Sequence, residues 1–296
     1  MCARMRPNRP LGPSIFARWT SRIAVFSVVL LITAAFLHRL FGLPTPEALN
    51  LAYAAFAGAA FSLLLAFAAI IGIWRTGRPG TSRVVFGTLV SLGLLLWPMM
   101  FLPDFQQLPK INDVTTDALT PPPFVTLAKA RGPSANSGEY PGQEFALLQA
   151  AAYPDIKPIK INRSSEEAFE LVTDAVRRLE MQVVHQEAPN LETGKSGVLE
   201  VVDRTFILGF YDDVVIRVTG DANDARIDVR SASRYGAHDF GRNADRTRVI
   251  LKEIITRLES VVPTRKEKVA ETTAKEKTKV RKKRRRSRRW RRRRRR

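Results

Sequence analysis

Three apolar runs decide how this chain is organised: IAVFSVVLLITAAFLHRLF (residues 23–41), LAYAAFAGAAFSLLLAFAAIIGIW (residues 51–74) and VVFGTLVSLGLLLWPMMFL (residues 84–102). A hydrocarbon core about 30 Å thick needs roughly 20 apolar helical residues, each rising about 1.5 Å. All three runs meet that length, so residues 23–102 read as three transmembrane helices. The second run carries no charge and has Tyr53 and Trp74 at its ends, where amphipathic rings favour the lipid interface. The first closes on His38 and Arg39, whose flexible side chains can reach back to headgroup level, with Arg22 and Arg39 as its borders. The third ends in Trp97, Pro98 and Phe101, a second interfacial cluster.

Lipid gives helices no hydrophobic drive to associate, so close approach across small residues has to supply the packing. Ala54, Gly58 and Ser62 line one face of the second run, and Gly87 with Ser91 one face of the third; these two helices are expected to touch there. The competing reading is that small residues are simply common in membrane helices.

Orientation follows from the Lys and Arg of the short flanks, which stay cytoplasmic. Residues 1–22 carry Arg4, Arg6, Arg9, Arg18 and Arg22, and the loop after the second run carries Arg75, Arg78 and Arg83. Residues 42–50 hold no Lys or Arg and one acid, Glu47. The N-terminus is therefore expected inside a bacterial inner membrane, with everything after residue 102 outside the cytoplasm. A cleaved signal peptide is the rival reading of the first run, but Phe36, Leu37 and His38 make a poor cleavage context, and two further spans would anchor the product anyway.

The formal charge of +20 is unevenly spread: residues 265–296 hold 20 Lys or Arg against 3 Glu, a local +17 that leaves +3 for the rest. Cys2 is the lone cysteine, so no disulfide forms within the chain and no cysteine-based metal cage is available.

Residues 103–137, with Pro121, Pro122, Pro123 and Pro133, read as a Pro-rich tether, because such prolines keep a segment extended without ladder hydrogen bonds. Asn112, Asp113, Thr116 and Asp117 within it read as turn formers bonded to nearby backbone, against the sharper reading of an acidic metal site. Residues 138–262 read as an extracytoplasmic α+β domain, a soluble antiparallel sheet covered by helices. A short helix over residues 142–152 and a strand near 156–161 precede the clearest soluble helix. Ser164 caps it, Glu166 and Glu167 suit its N-terminal dipole, and Ala168, Phe169, Leu171, Val172, Ala175, Val176 and Leu179 form its apolar stripe.

Strands follow over residues 181–185, 198–205, 212–219 and 225–231, then a helix over 243–261 that buries Ile250, Leu251, Ile254, Ile255 and Leu258. In the last two strands Val214, Ile216 and Val218 oppose Asp213 and Arg217, while Ile227 and Val229 oppose Arg226, Asp228 and Arg230, so one face is core. With a turn over residues 220–224, like faces pair only if paired numbers sum to an odd value, which favours Arg217 opposite Asp228 or Asp213 opposite Arg230 as solvated ladder contacts.

Signals for catalysis are thin. Gly194, Lys195 and Ser196 resemble the end of a phosphate loop, but Pro189 stands where its first glycine belongs and a strand follows where a helix should. No serine sits in a nucleophile elbow, and the adjacent Asp212 and Asp213 would point to opposite faces of a strand. No catalytic residue, metal site or cofactor is assigned, and enzymatic activity is not expected.

The densest polar stretch is residues 230–246. There a helix N-terminus flanked by Arg230, Arg234, Asp239, Arg242, Asn243 and Arg246 could hold a phosphate or carboxylate through amides and guanidinium forks. Alternatively Asp239 or Asn243 caps the helix, and Asp239 pairs with an arginine to fix the corner. Phe206, Leu208, Phe210 and Tyr211 form an apolar stretch that either meets the membrane or a partner, or is buried in the core.

Three ordered motifs resemble the bacterial family called domain of unknown function 1499. They are Ile111, Asn112, Asp113, Val114, Thr115, Thr116 and Asp117 with Pro121, Pro122 and Phe124; Gly209, Phe210, Asp212, Asp213, Val214, Val215, Ile216 and Arg217; and Asp228, Val229, Arg230, Ser231, Ser233, Arg234, Gly236, Asp239, Gly241, Asn243 and Arg246. The resemblance spans about residues 108–258, and the helices ahead of it also look like an arrangement found in that family. It implies a membrane-linked protein without an assigned activity, so it transfers no catalytic residues; the arginine tail lies outside the pattern.

Residues 263–296 read as a disordered basic tail. Outside the cytoplasm its partners would be membrane lipid, anionic envelope polymers or glycolipids, each basic residue contributing about 1 kcal/mol near such a surface. A low-complexity extension without a selected role is the rival reading. The chain is thus expected to be an envelope protein with a binding or structural module, open to an envelope protein partner, with nucleic acid disfavoured. The alternatives are an envelope enzyme with its site at the 230–246 corner and, under inverted topology, a nucleic-acid binder.

Overall fold

A computed structural model describes residues 12–205 and 209–261. Helices α1 (Ile15–Phe41), α2 (Thr45–Thr76) and α3 (Thr81–Met99) form a bundle, and all three are long and apolar enough to cross a membrane. α1 begins well before its apolar run, so Arg18 and Arg22 ride on the same helix. α1 and α2 end at glycines in the left-handed region, Gly42 (φ 70°) and Gly77 (φ 65°), which close each last turn at no steric cost.

The small-residue faces do pack closely, but against α1 rather than against each other. A Cβ at Gly58 would lie 2.5 Å from Ser27 Oγ, and one at Gly87 would lie 2.7 Å from Thr20 Cγ2. Ser62 donates to the Thr20 carbonyl at 2.9 Å. Ala54 is exposed, and the buried stripe of α2 is Ala55, Ala59, Ser62, Ala66 and Ala69. Sequence spacing finds a face that permits close approach; in a three-helix bundle it cannot say which of two neighbours takes it.

Ser14 N–H donates to the Pro79 carbonyl at 3.1 Å, which puts the start of α1 beside the α2–α3 loop. Arg18, Arg22, Arg75, Arg78 and Arg83 therefore gather at one end of the bundle. The soluble domain sits at the other end. There His38 and Arg39 are anchors for the domain instead of snorkelling side chains. His38 is buried with Nδ1 2.6 Å from the Leu43 carbonyl, and its ring lies 5.7 Å from that of Phe210. Arg39 Nη1 donates to the Thr205 carbonyl at 3.0 Å, and Arg204 Nη2 donates back to the Arg39 carbonyl at 3.2 Å.

The domain follows as α4 (Leu102–Gln107), β1 (Asp113–Thr115), α5 (Thr126–Ala130), α6 (Gln143–Ala152), β2 (Ile159–Ile161), α7 (Ser165–Arg178), β3 (Gln182–Glu187), β4 (Gly197–Arg204), β5 (Tyr211–Gly220), β6 (Ala225–Ser233) and α8 (Arg242–Val261). β3 to β6 form an antiparallel meander, and β1 and β2 share the outer edge of β6, giving six strands in the order β1-β6-β5-β4-β3 with β2 beside β1. The architecture is α+β. Arg217 pairs with Asp228, one of the two registers that period-two patterning allowed. The connecting turn needs Gly220 (φ 150°), where a Cβ would meet the Asp224 carbonyl oxygen at 2.1 Å.

α7 and α8 cover one sheet face, burying Phe169, Val172, Ile250 and Ile254 against Leu199, Ile216 and Val229. Ser164 Oγ accepts the Glu167 amide at 3.2 Å and caps α7 as its sequence requires. Ile255 is 42% exposed and does not join this core, because α8 turns a narrower stripe to the sheet than its apolar content suggested.

The opposite sheet face is also buried. Residues 103–137 are not a tether: β1 is an edge strand, and Phe124 and Leu127 pack on Val202, Val215 and Ala232. A strand of 3 residues and a helix of 5 are too short to leave a period in the sequence. The prolines still hold residues 121–123 extended, but laid over the sheet. Asp228 and Arg217 are accordingly no solvated ladder pair: Asp228 is fully buried, 3.1 Å from Arg217.

Candidate functional site

Residues 230–246 split between the two faces of the sheet, because neighbours on a strand alternate sides. On the helix-covered face, Asp239 caps α8, its Oδ1 accepting the Gly241 amide at 2.9 Å and its Oδ2 the Asn243 amide at 3.0 Å. The positive end of the helix is thereby filled by the chain's own carboxylate. Burial pushes that carboxyl above its ordinary value, against the pull of the Asn243 and Gly241 amides. Arg246 donates Nε to Asp203 at 2.7 Å and Nη2 to Asp212 at 2.5 Å, while its Nη1 reaches Asn243 Oδ1 at 2.9 Å and Ser231 Oγ at 3.2 Å. Asn243 completes the cluster through Nδ2, bonded to the Asn112 carbonyl and Ser233 Oγ at 3.0 Å each.

Arg230 points the other way. Its Nε and Nη2 grip Asp113 at 3.0 and 2.7 Å, its remaining donors reach the Pro122 and Gly138 carbonyls at 3.1 and 3.0 Å, and its guanidinium lies 4.6 Å over the Phe124 ring. Beside it Asp213 is shared by Arg131 at 2.9 Å and Arg234 at 2.7 Å. Burial raises the Asp113 carboxyl although Arg230 opposes the shift. Burial and the Asp113 charge push the Tyr140 hydroxyl up to about 12, so it stays protonated at neutral pH.

The structure thus brings Asp239, Asn243 and Arg246 together, puts Arg230 and Arg234 behind the sheet, and leaves Arg242 exposed on α8. Asp212 and Asp213 do face opposite ways, within β5. His185 lies on β3, beyond β4 and β5 from the corner. Asp117 behaves as a turn former, accepting the Leu119 and Thr120 amides at 3.2 and 3.1 Å; Asp113 does not, because its partner is across the sheet edge. Among the described residues no three His, Cys, Asp or Glu side chains gather as a metal set. Phe206 and Leu208 lie outside the described residues; Phe210 and Tyr211 sit against His38, with Arg204 4.5 Å over the Tyr211 ring.

Residues 113–254 match the family described as Protein of unknown function (DUF1499). That stretch is similar to the DUF1499 family. The expectation drawn from its three motifs therefore holds, and all three lie in the paired layers just described. No curated protein matches the chain.

Two determinants of this domain escaped sequence reading. Glu200, fully buried on β4, accepts the amides of Thr126 and Leu127 at 2.9 and 2.7 Å and that of Val125 at 2.5 Å, closing the start of α5 from the sheet face beneath it. A lone carboxylate inside Val198, Leu199, Glu200, Val201 and Val202 was the available signal. The other is Arg131, whose partner Asp213 lies 82 residues away and leaves no local trace.

Proposed function

We propose that this is a multi-pass protein of the bacterial inner membrane whose DUF1499 domain is held on the extracytoplasmic side as a rigid binding or structural module. The observation that carries the reading is the separation of the arginine cluster and the domain to opposite ends of the helical bundle, since cytoplasmic flanks retain arginine. Two contacts with the helix ends favour a seated domain over a tethered one. One joins His38 and Arg39 to Arg204, Thr205, Phe210 and Tyr211; the other stacks Phe105 of α4 on His238 at 5.2 Å and Phe101 on Phe240 at 6.0 Å. The 230–246 corner supports a structural clamp more than an anion site or an active site, because its carboxylates and its buried arginines already satisfy one another.

On this reading the tail, residues 263–296, engages anionic lipid, glycolipid or wall polymer, and an envelope protein is the class of partner for the exposed domain surface. A reporter active only outside the cytoplasm, fused after Val262, tests the orientation. Activity is expected, and a silent fusion that a cytoplasm-active reporter replaces at the same position overturns the proposal and restores nucleic acid as the partner of the tail.

A further inference from the structure

We infer that the seam between α1 and α3 binds one anionic phospholipid, its phosphate held by Arg22 and Arg83 and an acyl chain laid along the groove. The inference rests on the three helices lying in a bilayer, not on which side the domain faces.

At its arginine-bearing end the bundle opens a groove of about 560 Å³, with Ser21, Arg22, Ser82 and Arg83 at the mouth. Small-molecule sites span about 300–1,000 Å³. Val25, Phe26 and Phe86 form the wall below the mouth. On α1, Arg22, Val25, Phe26 and Val29 follow the i, i+3, i+4, i+7 spacing of a single stripe, so charge stands at one end of a surface that is apolar from there on.

The seam continues as a second groove of about 400 Å³ between Val28 and Ile32 on α1 and Val90, Gly93 and Trp97 on α3. Gly93 keeps it open, since a Cβ there would meet nothing within 4 Å. From Arg22 to Ile32 the helix rises about 15 Å, half of a hydrocarbon core about 30 Å thick and so the depth of one leaflet.

Charge selects the headgroup. Among the described residues neither Arg22 nor Arg83 has an ion-pair partner, and no acidic side chain lines either groove. The Arg22 guanidinium lies 5.8 Å from the Trp19 ring, which keeps it at the interface with its N–H donors available. Two unneutralised guanidinium forks beside two hydroxyls complement a phosphate that bears net charge better than one balanced by choline. Arg75 and Arg78, at the same end, line neither groove.

The test is native mass spectrometry of the full chain in detergent, titrated with phosphatidylglycerol or phosphatidylcholine. Phosphatidylglycerol is expected to form a one-to-one complex that phosphatidylcholine does not displace. At about 1 kcal/mol per basic residue near an anionic headgroup, Arg22→Gln or Arg83→Gln should weaken it about fivefold and the pair about 25-fold. Arg75→Gln with Arg78→Gln, which removes equal charge outside the groove, should leave it unchanged.

Equal binding of the two lipids, or an equal loss in the Arg75 and Arg78 variant, overturns the inference. As a measurement that needs no variant, phosphatidylglycerol with a photoreactive acyl chain should label peptides containing Val25 or Phe86; labelling confined to other helix faces also overturns it. A chain released from membranes by alkaline washing would instead sink the membrane-spanning reading, a result distinguishable from a retained chain without lipid preference.

Discussion

Replacing Arg230 by Met removes the guanidinium that joins β6 to β1 and to residues 122–140 while keeping most of its apolar volume. Asp113 is then left 3% exposed without its partner, and the Pro122 and Gly138 carbonyls lose a donor. Breaking a buried pair from one side costs about 3–5 kcal/mol, a large share of the roughly 5–15 kcal/mol that holds a domain folded. Asp113→Leu alone should cost a similar amount, because Arg230 would be the orphan.

The double variant should be less damaged than the sum by about 2 kcal/mol or more, since no charge remains buried; recovery stays incomplete because the two carbonyls are still unpaired. The assay is pulse proteolysis in urea on the full chain in detergent, reading the soluble domain directly. This suits the chain because, among the described residues, the tryptophans Trp19, Trp74 and Trp97 all lie in α1 to α3 and report nothing of the sheet. In the Arg230 variant the first cuts should fall within residues 118–140, ahead of global unfolding. A midpoint within about 0.5 kcal/mol of the parent, in the range of an ordinary surface change, or a double variant as unstable as the summed singles, would refute the reasoning.

Glu200→Gln should cost about 2 kcal/mol, because an acceptor of three amides gives way to a group that is half donor, and limited proteolysis should then cut first near residues 123–131. Gly197→Ala should destabilise by about 1–3 kcal/mol in urea titration, since its Cβ would sit 2.7 Å from Phe169 and 2.8 Å from Pro189, both buried. Burial alone would raise the Asp117 carboxyl, but the Thr120 hydroxyl and amide with Arg226 and Arg217 outweigh it and hold it below the ordinary carboxylate value of 3.8. Its contribution is therefore present above that pH and lost as pH falls further, so Asp117→Asn should flatten the acid limb of stability followed by circular dichroism below about pH 4. Asp113 and Asp239, both raised by burial, act with the opposite sign: they favour the folded state progressively as pH falls from their folded values toward 3.8.

Much of the architecture was legible in one dimension because it rests on local periodicity. Apolar length marks α1 to α3, a 3.6-residue stripe with a serine cap marks α7, and strict alternation in β5 and β6 narrows their register to two choices, one of which places Arg217 on Asp228. The same alternation shows that Asp212 and Asp213 diverge. Partners chosen across the fold are another matter. Spacing shows that α2 and α3 carry small-residue faces but not that α1 receives both, and it reads Arg230, Arg234 and Arg246 as one cationic corner although a sheet stands between them. Residues 113–131 look like a linker because β1 and α5 draw their stability from Asp113 on Arg230 and Glu200 on α5, contacts spanning 117 and about 74 residues. Burial and charge pairing at such separations depend on which segments the folded chain stacks, and that is set in three dimensions.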